Sequence, residues 1–94
     1  MHRRVVITGM GVVSSLGLDT DSFFNNIVNG KSGISPITSF DTSNHSVKIA
    51  GEVKTDLNEH FDSKELNRID RFSAFALRAA REAVETSNLS QKIN

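Results

Sequence analysis

Three side chains carry the pattern most able to act on a partner: Lys64, Arg68 and Arg71. Spacings of four and three place them on one face of a short helical stretch. On composition alone such a face is ordinary solvated surface. Its functional alternative is a small cationic platform, where complementary charge speeds docking of an acidic partner and fixes its orientation. Other candidates are weaker. His2, His45 and His60 are scattered without metal-ligand spacing and read as surface histidines. Asp41 and Asp56 stand in loops and form no paired-carboxylate signature. The serines lack a G-x-S-x-G elbow. The chain has no cysteine, which excludes disulfides, thiolate zinc sites, iron–sulfur clusters and a cysteine nucleophile within it. No catalytic, metal or cofactor-binding residue is assigned.

Two glycine patterns imitate nucleotide-binding loops. Gly9-Met10-Gly11 follows an apolar run, but Ser14 stands where G-x-G-x-x-G needs its third glycine. The next helix also starts near Asp19, too late to meet a pyrophosphate beside Gly11. Gly30-Lys31-Ser32 matches the end of a Walker A loop, but Asn25 replaces the earlier glycine and the motif trails a helix. The first pattern reads instead as a tight turn packed against neighbouring strands.

The elements that position these residues follow from periodicity. Arg4-Val5-Val6-Ile7-Thr8 is β-branched and apolar at its centre, the pattern of a strand buried on both faces. Asp19 or Thr20 caps a helix with Phe23, Phe24, Ile27 and Val28 on one face, and Gly30 closes it. A loop with Pro36, the only proline, comes next. Residues 47–54 alternate apolar and charged, as in a half-exposed strand. Asp62-Ser63-Lys64-Glu65 forms a capping box, from which a helical pattern runs to about Ser87 with a break near Asp70. Ala74, Ala76, Ala79, Ala80 and Ala83 let another backbone approach that helix closely. Arg78–Glu82 and Arg81–Glu85 have the spacing of surface i,i+4 pairs.

Composition sets the outer bounds. Ninety-four residues make at most one small domain. Eleven Lys and Arg balance eleven Asp and Glu, which argues against broad nucleic-acid binding. No apolar stretch reaches the ~20 residues that span a bilayer. The N-terminal apolar run is broken by Thr8, Gly9 and Gly11, and no A-x-A site follows, so it does not make a signal peptide. The expected compartment is the cytoplasm, or an organelle lumen after removal of a transit peptide. The sequons at Asn44 and Asn88 then carry no meaning. A doubly buried strand needs neighbours on both edges, and one further strand and a few helices do not provide them. The segment therefore reads as part of a larger sheet-based domain, marginal or self-associating on its own.

The chain also resembles a family. Residues 3–14, Arg-Arg-Val-Val-Ile-Thr-Gly-Met-Gly-Val-Val-Ser, resemble the start of the β-ketoacyl-acyl-carrier-protein synthases, the elongating condensing enzymes, most like type II. Gly30-Lys31-Ser32-Gly33-Ile34, Phe40-Asp41-Thr42-Ser43, Ala50-Gly51-Glu52-Val53 and Arg68-Ile69-Asp70-Arg71-Phe72 continue the likeness in order, across residues 3–90. The resemblance implies an α/β chain forming the N-terminal part of a thiolase-like fold, layered α/β/α/β/α and incomplete here. Residues 1–94 would be the N-terminal portion of the synthase N-terminal domain, without a complete second domain.

In function the resemblance implies fatty-acid elongation. An acyl chain passes from acyl carrier protein to a cysteine, then condenses with malonyl-carrier protein as carbon dioxide leaves. The cysteine and two histidines of that chemistry lie downstream of the matched part, so this chain alone is expected to be inactive. Related chain-length-factor subunits also lack the cysteine but keep the full-length fold. The implied partners are acyl- and malonyl-loaded carrier protein and, at full length, a second copy in a homodimer, with no nucleic acid or membrane. Lys64 and Arg68 match positions of the carrier-docking surface. Asn67 departs from the pattern, because relatives can carry a base there. Arg71 is expected nearer the packed interior or the dimer contact. The alternative is a small non-enzymatic module that docks acyl carrier protein through the basic helix.

Overall fold

The computed structural model describes residues 2–55 and 57–89. Asp56 and the sequon position Ser90 lie outside the described residues. Helix α1 spans Thr20–Val28, strand β1 Ser35–Pro36, strand β2 Ile49–Ala50, helix α2 Ser63–Leu66 and helix α3 Arg71–Ser87, with a 3-10 turn at Leu57–Glu59.

Local sequence chemistry explains the helix ends. Asp19 accepts the Ser22 N–H at 2.7 Å and satisfies an orphan donor at the start of α1. That bond holds the Asp19 carboxyl below its usual range. At the other end Gly30 takes φ 70°. Its N–H donates to the Ile27 carbonyl, and the Lys31 N–H donates to the Asn26 carbonyl at 2.9 Å. This pair of bonds is a Schellman closure, which needs the left-handed conformation that glycine adopts freely. Asp62 caps α2 by accepting the Glu65 N–H at 2.8 Å. The helical pattern then breaks at Asp70, the N-cap of α3, which makes no side-chain cap bond. Asn88, left-handed at φ 57°, ends α3.

β1 and β2 pair antiparallel, Ser35 opposite Ala50 and Pro36 opposite Ile49. The region around Pro36 was expected as a loop, and the strand expected over residues 47–54 shrinks to two residues. Proline is tolerated because its missing N–H falls on a short edge. Glu52 secures the chain just after β1. Its Oε1 accepts from the Thr38 N–H at 2.9 Å and hydroxyl at 3.1 Å, and its Oε2 from the Ser39 N–H at 3.0 Å. The Ser39 side chain, followed by the Thr38 N–H, lowers the Glu52 carboxyl to about 2.

The N-terminal strand is not formed. No ladder bond engages Arg4–Thr8 among the described residues, and Val5 and Ile7 are 92% and 83% exposed. The physical reason is the absence of edges to pair with: β1 and β2 pair only with each other. Just beyond, residues 9–12 run antiparallel along α3. A Cβ added at Gly11 would overlap the Ala79 carbonyl, and one at Gly9 would come within 2.8 Å of Ser87 Cβ. The glycines therefore meet a helix backbone, not neighbouring strands as the sequence suggested. The small-residue face of α3 does admit a close backbone.

Glu82 locks this contact. Its carboxylate accepts the Val12 N–H at 3.0 Å, the Thr20 N–H at 2.8 Å and the Thr20 hydroxyl at 3.2 Å. The surface i,i+4 pair expected with Arg78 is not made: the Glu82 carboxylate is taken by three donors at fixed positions, and Arg78 is half-buried. The face of α1 also differs from expectation. Phe23 and Asn26 are half-buried, with the Asn26 amide donating to the Leu16 carbonyl, while Phe24, Ile27 and Val28 are exposed. The buried apolar core comprises Phe61 and Ala74, the latter at 0% exposure.

Two outcomes follow. Gly11→Ala should destabilise the protein by about 3 kcal/mol, since overpacking here meets backbone that cannot rotate away; a change in denaturation midpoint corresponding to less than about 0.5 kcal/mol would contradict the close approach. The Glu52 carboxyl is depressed from 4.5 to about 2. Its contribution is thus complete above pH 4.5 and lost as pH falls through about 2. Amide exchange at Thr38 and Ser39 should stay protected at pH 4 and open near pH 2; opening already near pH 4.5 would refute the clamp.

Candidate functional site

The basic cluster is built by a short helix, a turn and the start of a long helix. Lys64 lies in α2, Arg68 in the turn that follows, and Arg71 is the first residue of α3. A single helical face is therefore not what carries them. The Arg68 N–H donates to the Glu65 carbonyl at 3.1 Å, so the chain tightens into a 3-10 turn before the break at Asp70. Helical spacing alone cannot distinguish this turn from continuous helix.

The three bases have different fates. Lys64 and Arg68 are exposed, and neither side chain makes an ion pair or hydrogen bond among the described residues. Arg71, expected nearer the packed interior or the dimer contact, is exposed and bonds to its own fold. Its Nη2 donates to the Val53 carbonyl at 2.7 Å, and its guanidinium carbon lies 4.9 Å from the centre of the Phe75 ring. It borders an open cleft of about 810 Å³ shared with Glu52, Lys54 and Thr55. Arg71 thus braces the start of α3 against the segment after β2, leaving Lys64 and Arg68 as the uncommitted charges.

Two residues absent from the expected site support it. Arg81 Nη2 meets Glu65 Oε2 at 2.8 Å, and the Arg81 guanidinium carbon lies 4.8 Å from the Phe61 ring centre. The i,i+4 partner Glu85 suggested by spacing is not used; the tertiary approach of α2 to α3 offers a carboxylate beside a buried aromatic ring instead. No periodicity within one helix could signal that contact.

The remaining candidates do not assemble into a catalytic site. His45 packs edge-on against Phe40, with ring centroids 5.4 Å apart. His60 sits half-buried beside the 3-10 turn, and His2 is exposed. Asp41 accepts the Ser43 N–H at 2.9 Å within its own turn, which lowers its carboxyl from the usual range. Among the described residues no three His, Cys, Asp or Glu side chains are placed to hold a metal ion, and no helix is long and apolar enough to cross a membrane. What the exposed cluster can do is attract and orient an anionic surface.

Comparison with known proteins agrees with the order of these elements. Residues 2–93 match the model of the β-ketoacyl synthase N-terminal domain. The chain is 46% identical over 89 residues to 3-oxoacyl-[acyl-carrier-protein] synthase 2 of Staphylococcus aureus, covering 94% of this chain and 22% of that protein. It is 40% identical over 93 residues to the chloroplastic synthase II of Arabidopsis thaliana, covering 98% of this chain and 17% of that one. Among solved structures, the ishigamide ketosynthase/chain length factor superposes with a TM-score of 0.81 at 35% identity, over 94% of this chain and 22% of that chain. The chain thus spans about a fifth of the length of these relatives, and its α/β fold is that of the N-terminal part of a thiolase-like ketosynthase. On a match that runs from residue 2 to residue 93, the chain belongs to the β-ketoacyl synthase family, in its N-terminal domain.

Proposed function

We propose that these residues form the N-terminal part of a type II 3-oxoacyl-acyl-carrier-protein synthase, and that Lys64 and Arg68 belong to its carrier-docking surface. The enzyme elongates a fatty acyl chain in the cytoplasm as a homodimer. An acyl group moves from the carrier thioester to a cysteine thiolate. Malonyl-carrier protein then loses carbon dioxide, and the resulting carbanion attacks the acyl-cysteine carbonyl. The carbon–sulfur bond breaks and the thiolate leaves. Such chemistry needs a nucleophile and donors aimed at the developing oxyanion. The 94 residues contain no cysteine, so by themselves they do not perform it.

The observation that carries the docking role is the contrast among the three bases. Arg71 is spent on the Val53 carbonyl, whereas Lys64 on α2 and Arg68 in the turn after it are exposed and uncommitted among the described residues. With the whole chain at zero formal net charge, attraction to an acidic carrier must come from a local concentration of charge such as this. Family membership supplies the partner, since the relatives' names specify acyl carrier protein.

In the natural protein that carries this sequence, the combined substitution Lys64→Glu and Arg68→Glu should weaken binding of acyl carrier protein at least about tenfold and flatten its salt dependence. Calorimetric titration at two ionic strengths reads both. Unchanged affinity would reject the docking role.

A further inference from the structure

Glu65 lies between the two docking bases in sequence and is the acid best placed to silence them. Arg68 follows it by three residues, and the 3.1 Å bond from the Arg68 N–H to the Glu65 carbonyl closes a 3-10 turn. In that geometry side chains at i and i+3 stack one above the other. An unrestrained Glu65 carboxylate would therefore pair with Arg68 and cancel the charge offered to a partner. The structure shows it elsewhere: Glu65 Oε2 is held by Arg81 Nη2 at 2.8 Å. Arg81 is itself fixed by stacking 4.8 Å from the ring centre of Phe61, which is buried at 5% exposure. The other nearby acids do not compete for Arg68. Asp62 is engaged with the Glu65 N–H at 2.8 Å, and Asp70 stands two residues from Arg68, a spacing that does not bring side chains face to face.

We propose that Arg81 is a positioning residue for carrier docking: by sequestering Glu65 it keeps Arg68 free for the acidic carrier. The proposal rests on the carrier-docking reading of Lys64 and Arg68. It assigns a role to a residue of α3 that touches neither base, and it predicts a specific epistasis. Loss of Arg81 releases Glu65 onto Arg68. Loss of Glu65 as well removes the silencing acid, so the second substitution repairs the first. A clamp needed only for shape gives the opposite pattern, because removing the second partner restores nothing.

The test measures binding of acyl carrier protein to the natural protein and to its Arg81→Gln, Glu65→Gln/Arg81→Gln and Glu85→Gln/Arg81→Gln variants, with Lys64→Glu/Arg68→Glu as reference. Melting temperatures are recorded alongside to compare folding. Arg81→Gln should weaken binding about fivefold, the scale of one surface charge pair. Glu65→Gln/Arg81→Gln should return to within about twofold of the natural protein. Glu85→Gln/Arg81→Gln has the same net charge but leaves Glu65 free, and should stay weak. Natural-level binding by Arg81→Gln, no recovery in the Glu65 double variant, or equal recovery in the Glu85 double variant each overturns the proposal. If the Lys64→Glu/Arg68→Glu reference binds normally, the docking reading itself fails and this inference falls with it. If that reference is weak and only the recovery is missing, the role of Arg81 alone is lost.

Discussion

The Glu82 carboxylate is the contact on which the rest of the arrangement depends. From one position on α3 it receives the Val12 N–H, the Thr20 N–H and the Thr20 hydroxyl. The Thr20 N–H belongs to the first residue of α1, one of the donors a helix leaves unpaired. A single side chain therefore joins the N-terminal segment, α1 and α3. Hydrogen bonds to a charged group are each worth about 1.5–3 kcal/mol net, against about 0–1 kcal/mol for an exposed ion pair. By that comparison Glu82 holds the fold. The half-exposed Arg81–Glu65 pair adds little to stability. The glycines at 9 and 11 complete the same contact, since only a backbone without Cβ fits against Ala79 and Ser87.

The second constraint is what stays uncovered. Val5, Val6 and Ile7 have the character of a central strand and lie exposed, as do Phe24, Ile27 and Val28 on α1 and Phe72 on α3. Core-type side chains need neighbours that these 94 residues do not bring to them. The chain matches 22% of a ketosynthase structure, and the β-ketoacyl synthase N-terminal domain is the setting in which such residues are matched.

What could be read in advance separates cleanly by range. Asp19, Gly30 and Asp62 mark helix ends through bonds that span three to five positions, so their types and spacing suffice. The break at Asp70 and the small residues of α3 were legible from residue type and spacing, although the backbone that α3 meets lies far off in sequence at Gly9 and Gly11. The strand read over residues 4–8 does not form, because an apolar β-branched run states a preference and not the presence of a partner. The pairing of Ser35–Pro36 with Ile49–Ala50 was hidden by proline's usual exclusion from strands. At the site, Lys64 and Arg68 were visible as bases, but the bond from Arg71 to the Val53 carbonyl and the engagement of Glu65 by Arg81 arise from approaches over 18 and 16 residues. Helical periodicity carries no record of those.

The claim that matters most is that the turn from α2 to α3 is where the acidic carrier lands. Amide exchange of the natural protein, measured with and without saturating acyl carrier protein, tests it most directly. Protection should concentrate in residues 63–68 and leave the β1–β2 pair unchanged. Protection at β1–β2 with residues 63–68 exchanging as freely as before would contradict it.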